Sequence, residues 1–141
     1  IHFLETFPSI KKMLVMVQSE VAHRLAADPG SKDYGSPSAK LAWFGSAKLA
    51  GNIGRNVFWP APQVDSALVY FERQRQEPNR QVFKVIDAAF SMRRKTLRQA
   101  LAGWAGSPAR AEEILRAAGI DPSSRGEQLG IEDFVRVASS Q

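Results

Sequence analysis

The sequence predicts an α/β layer followed by a small all-α bundle. Three observations carry this. An apolar, strand-like run leads straight into a helical segment near the start, two more strand-like runs precede residue 73, and only helical periodicity follows residue 79. The division expected from them is an α/β part over 1–72, a polar linker over 73–79 and a helical part over 80–141. A chain of 141 residues with 44% hydrophobic and 23% charged side chains has the means to bury a core.

Met13-Leu14-Val15-Met16-Val17 is apolar without alternation, which predicts a strand covered on both faces, as in a parallel sheet. Ser19 is placed to cap a helix over Glu20–Ala27 that Asp28-Pro29-Gly30 stops. A turn-rich loop follows, and Ser36-Pro37 opens a helix to about Phe44. Strands are expected near Ala47–Ile53 and Ser66–Glu72, the second again apolar on both faces. Between them, Pro60 and Pro62 stiffen an extended loop, Phe58-Trp59-Pro60-Ala61-Pro62-Gln63-Val64-Asp65-Ser66. In the last third, Phe83, Ile86, Phe90, Leu97 and Leu101 form one stripe on a single helix from about Arg80 to Gly103. Ser107-Pro108 starts a second helix closed by Gly119, and a third runs from Ile131 to Ser139 with Phe134, Val135 and Ala138 inward.

No run of about 18 apolar residues exists to span a membrane. With no cysteine there is no disulfide, thiolate metal site or cysteine nucleophile, a usage compatible with a reducing cytoplasm. His2 and His23 are too few and too far apart for a metal cluster, and His23 fits an ordinary helix surface. The start, Ile1-His2-Phe3-Leu4-Glu5, lacks an initiator Met and a signal-peptide layout, and reads as a cut inside a longer protein.

Charge is uneven. Residues 73–98 hold 8 Lys/Arg against 2 Asp/Glu, a local +6 within a chain of net +5. That surplus suits a polyanion partner, or equally a solvated helix face. On the single expected helix, Lys84, Arg94, Lys95 and Arg98 share an arc beside the apolar stripe, with Arg93 on its other flank. These cations would grip a phosphate backbone with salt-dependent affinity. The Phe58 loop also admits two readings: a rigid turn that buries Phe58 and Trp59, or an aromatic wall on which a base stacks. There is no G-x-G-x-x-G, P-loop or G-x-S-x-G, and Glu20, Asp33 and Asp65 are isolated carboxylates, so no active site is complete.

Five segments resemble, in order, those of the KsgA family of small-subunit (16S) ribosomal RNA adenine dimethyltransferases. They are Met16–Leu25, Pro29-Gly30-Ser31-Lys32-Asp33-Tyr34-Gly35, Phe58–Ser66, Ala89–Arg98 and Gly119–Glu127, with Gln99 standing for the usual Asn and Trp59 departing from the commoner residue. The resemblance implies a Rossmann-like sheet, here its C-terminal strands and helices, followed by a helical rRNA-binding domain. It implies S-adenosylmethionine as methyl donor, dimethylation of N6 on two adjacent adenines near the 3′ end of the rRNA, and a role in assembling the 30S subunit. By the same resemblance Phe58 flanks the target adenine, and Arg93, Arg94, Lys95 and Arg98 contact rRNA. The cofactor and "NLPY" motifs precede the chain, which alone would be inactive. A binding-only assembly module using the basic segment is the alternative, and a sister enzyme acting on 23S rRNA fits the motifs less well.

Overall fold

The computed structural model describes residues 11–53, 65–75, 78–92 and 94–140. Three strands form its sheet: β1 (Lys12–Gln18), β2 (Gly45–Ile53) and β3 (Ser66–Arg73), in the order β1-β3-β2. Both outer strands run antiparallel to β3, in registers that set Val15 and Leu49 opposite Val69. The covered parallel strand expected at Met13–Val17 is therefore corrected. β1 lies at the edge, and Leu14, Val15 and Met16 are 62%, 39% and 50% exposed.

Alternation reappears on the central strand, where Ala67, Val69 and Phe71 are buried and Leu68 and Tyr70 are half-buried. The buried face takes α1 (Ser19–Leu25) through Ala22, and α2 (Ser36–Phe44) through Leu41 and Phe44. Gln18, rather than Ser19, caps α1. α2 likewise begins one residue early, with Gly35 at its cap and the Gly35 N–H donating to Ser38 Oγ at 3.2 Å. Gly45 starts β2 because nothing larger fits: a Cβ there would lie 2.0 Å from the Glu72 carbonyl oxygen. Near the other end of β2, a register shift between Leu49 and Gly51 puts a bulge in the edge.

The last strand passes into the helices through a pinned corner. The Gln74 and Arg75 N–H groups donate to the Phe44 carbonyl, while the Arg75 guanidinium stacks 4.4 Å from the Trp43 ring, bonds the Trp43 carbonyl and pairs with Glu132. Helix α3 (Arg80–Ser91) starts where Asn79 accepts the Gln81 and Val82 N–H groups, both at 3.1 Å. Its buried face centres on Val82, Val85, Ile86 and Ala89, with Phe83 and Phe90 at the margins, one position round from the expected stripe.

The single helix expected over Arg80–Gly103 is not one helix. It ends at Ser91 and resumes as α4 (Leu97–Ala100) and α5 (Ala102–Ala105). Helix α6 (Pro108–Ala117) is capped by Ser107 Oγ and closed at Gly119 (φ +76°), where the Ile120 N–H reaches the Leu115 carbonyl. A 3-10 turn over Gly126–Gln128 leads to α7 (Ile131–Ser139), whose core contacts are Phe134 and Val137. Seven α-helices and three strands thus make up the described residues. The main core joins Tyr34 and Ala39 to Ile86, Leu97, Leu101, Ile114, Leu115 and Phe134, so α2 and the loop before it belong to the same packed interior as the later helices.

Candidate nucleic-acid interface

Nothing in Ser91–Thr96 forces a helix to stop, for the segment has neither Gly nor Pro. Local and distant groups impose the break together. Ser91 Oγ turns back onto the Ala88 carbonyl at 2.7 Å, and the Lys95 N–H closes a turn onto the Met92 carbonyl at 2.9 Å. The first amides of α4, which have no partner in their own helix, are taken from outside. Leu97 N–H donates to the Ser124 carbonyl at 2.7 Å and Arg98 N–H to the Pro122 carbonyl at 3.2 Å. Because α4 begins this way, its amides do not offer an anion site, and any hold on phosphate must come from side chains.

Arg94 and Lys95 are exposed, and among the described residues no carboxylate lies within ion-pair distance of either. Arg98 differs: half-buried, it sits 3.7 Å from Glu112, whose other neighbour is Arg116 at 3.6 Å. Lys84 is exposed on α3, seven residues before that helix ends and so about 10 Å back along its axis. The shared arc of Lys84, Arg94, Lys95 and Arg98 is therefore corrected, since two helices and a turn carry them. Arg93 and Phe58, with Trp59 and the rest of its loop up to Val64, lie outside the described residues.

One cation that charge counting passed over comes into view. Ser124 touches the start of α4, and Gly126 lies against the end of α3, where a Cβ would come 3.1 Å from Ala89. Arg125 lies between them, in the segment that runs from the start of α4 to the end of α3. Its side chain is 53% exposed, with Glu127 at 3.8 Å as its ion partner among the described residues. The signal available in the sequence was the Gly119–Glu127 motif, whose arginine stands apart from the basic run.

Gln18, Ile53 and Ser66 are in register, and the Ser19 N–H donates to the Asp65 carbonyl at 2.9 Å. Strand β2 thus ends, and β3 begins, at the same end of the sheet. A cleft of about 610 Å³ is lined by Glu20 and Arg24 of α1, by Lys32 and Ser36, and by Phe90 of α3.

No turn among the described residues has the glycine geometry of a nucleoside-cofactor loop. The three glycines at positive φ, Gly30, Gly106 and Gly119, all follow helices, and none forms the turn after a strand that a nucleoside cofactor needs. Among these residues no cluster of three or more His, Cys, Asp or Glu could hold a metal, and no helix is long and apolar enough to cross a membrane.

All of residues 1–141 match the family described as ribosomal RNA adenine dimethylase. The chain belongs to that family. Among curated relatives, the ribosomal RNA small subunit methyltransferase A of Kineococcus radiotolerans is 62% identical over 141 residues, covering 96% of this chain and 47% of the relative. That of Streptomyces avermitilis is 60% identical over 147 residues, covering 100% and 50%. The chain spans about half the length of the curated relatives it matches. Among solved structures, a dimethyladenosine transferase from Plasmodium falciparum superposes with a TM-score of 0.78 at 20% identity, over 95% of this chain and 59% of that one. The 23S rRNA methyltransferase ErmE does so with 0.67 at 20% identity, over 97% and 57%. The rRNA dimethylase fold is thus shared even where sequence has diverged to one residue in five.

Proposed function

We propose that this family member is the RNA-facing half of an enzyme that dimethylates N6 of two adjacent adenines near the 3′ end of small-subunit rRNA, in the cytoplasm and on the assembling 30S subunit. The basic turn between α3 and α4 supports this most directly. Arg94 and Lys95 stand exposed there without carboxylate partners among the described residues, with Arg125 on the adjoining segment and Arg98 on α4, an arrangement suited to a phosphate backbone. Arg93 and Lys84 extend the dock, and Phe58 supplies the wall against which the target adenine stacks. On this reading residues 1–72 complete the methyltransferase sheet, 73–79 join the parts, and 80–141 are a helical rRNA-binding bundle.

S-adenosylmethionine, bound outside these residues, would supply an electrophilic methyl group. This chain's part is to hold the base and the RNA in place, and orientation of that kind contributes heavily where the nucleophile is a weak aromatic amine. Reversing Arg94 and Lys95 to Glu is expected to weaken binding of an RNA carrying the 3′ end of small-subunit rRNA. It should also lower the slope of log K against log salt by roughly 0.7–0.9 per lost contact. Unchanged affinity in a salt titration would remove the turn as the dock.

A further inference from the structure

Resting on the reading of the turn as the RNA dock, we infer that the segment Asp121–Gly126 is a brace that decides whether Arg94 and Lys95 stand in a turn or on a continuous helix, and that Asp121 and Gly126 are positioning residues for RNA binding. The sequence between α3 and α4 carries a helical pattern and no breaker, so the turn is not its local preference. One segment holds both flanks of the break. Gly126 packs on Ala89 before it, and the carbonyls of Ser124 and Pro122 take the Leu97 and Arg98 amides after it.

The brace has a shape of its own. An Asp121 carboxylate oxygen accepts the Ser123 N–H at 2.9 Å and Ser123 Oγ at 2.8 Å, and the Ser124 N–H returns to the Asp121 carbonyl at 3.0 Å. That tight turn is what aims the two carbonyls at α4. It is anchored beyond the break as well, since the Glu127 carbonyl accepts the Gly30 N–H at 2.7 Å. Gly126 is required by space rather than by φ: a Cβ would meet Ala89 Cβ and the Ala89 carbonyl oxygen, both at 3.1 Å. Without the brace, the amides of Leu97 and Arg98 regain helical partners only if α3 and α4 merge. Merging would swing Arg94 and Lys95 round a helix axis and out of the turn.

The test compares Asp121→Ala and Gly126→Val in the complete chain, with Gly126→Ala as the gentler form and Val137→Ala as a core variant remote from the brace. Hydrogen exchange at the Leu97 and Arg98 amides reads the brace, far-UV circular dichroism reads helix content, and a salt titration with the 3′-end RNA reads the dock. The expected result is lost protection at those two amides, unchanged or raised helicity, and affinity down by about tenfold with a salt slope shallower by roughly one unit. Val137→Ala should leave affinity and slope in place. Lost protection with unaltered RNA binding would overturn the brace, as would retained protection in every brace variant. If the Arg94→Glu, Lys95→Glu double variant binds RNA normally, the dock itself is wrong and the brace falls with it. If that variant fails to bind while the brace variants bind fully, only the brace is wrong.

Discussion

Tyr34 shows how much one side chain can join. Its ring is buried in the main core and meets Phe90 edge-on at 5.8 Å, and its hydroxyl donates to the Leu129 carbonyl at 2.6 Å, across 95 residues of sequence. Replacing it by Phe leaves a buried carbonyl without its donor and is expected to cost about 1–3 kcal/mol, measured by urea denaturation. Burial, aided by the charge of Asp133, pushes the Tyr34 phenol above its ordinary 10.0, so the folded chain favours the neutral form. Its contribution to stability is then complete below pH 10 and declines as pH rises toward the higher folded value, a decline the Phe variant should lack. Glu112 acts in the opposite register, on charge rather than packing. It is shared by Arg98 and Arg116, so Glu112→Gln should release Arg98 toward RNA. The salt slope should then steepen by roughly 0.7–0.9, while stability moves by no more than about 1 kcal/mol.

Among the elements, β2 depends on its first residue. Gly45→Ala drives a methyl group into the Glu72 carbonyl and should unpair the start of the β2–β3 ladder, read as lost amide protection at Ser46 and Ala47. An element such as α6 was legible from sequence because its ends are written locally, in Ser107-Pro108 and in Gly119. The positions of β2 and β3 were legible too, from apolar runs bounded by turn formers. What was not legible came from distant partners. The break after Ser91 is made with carbonyls 24 and 27 residues away from the amides they accept, and the helical pattern alone carries no trace of them. The basic residues were found by counting charge, but their shared helical arc was an error of the same origin. Arg125 was missed because the packing of its segment against both flanks of the break exists only in three dimensions. The sheet's direction was missed because a continuous apolar run does not distinguish a strand covered in this chain from one whose cover lies elsewhere.

At the scale of the molecule, the two edges of the sheet are unlike. β2 carries Lys48 and a bulge at Leu49/Gly51, features that discourage a further strand, whereas β1 pairs with β3 in unbroken register over seven residues and has no strand on its other side among the described residues. Leu14 and Met16 stand on the uncovered face of that strand, beside Tyr70 and Leu68. A chain of these 141 residues alone is expected to self-associate, and Leu14→Lys with Met16→Lys should return it to a monomer by analytical ultracentrifugation. Calorimetry on the same chain should detect no S-adenosylmethionine binding; micromolar affinity would mean that these residues hold part of the cofactor site. The sheet also sets a timetable. β3 comes last in sequence yet lies in the middle, and Val15 finds its partner only at Val69. During synthesis, then, β1 has no hydrogen-bonding neighbour among these strands until the chain has grown through Arg73, and its closure over such a separation is intrinsically slow. Through that interval the apolar strand lacks its partner within these residues, and mutations that delay β3 should be felt as aggregation before they are felt as lost stability.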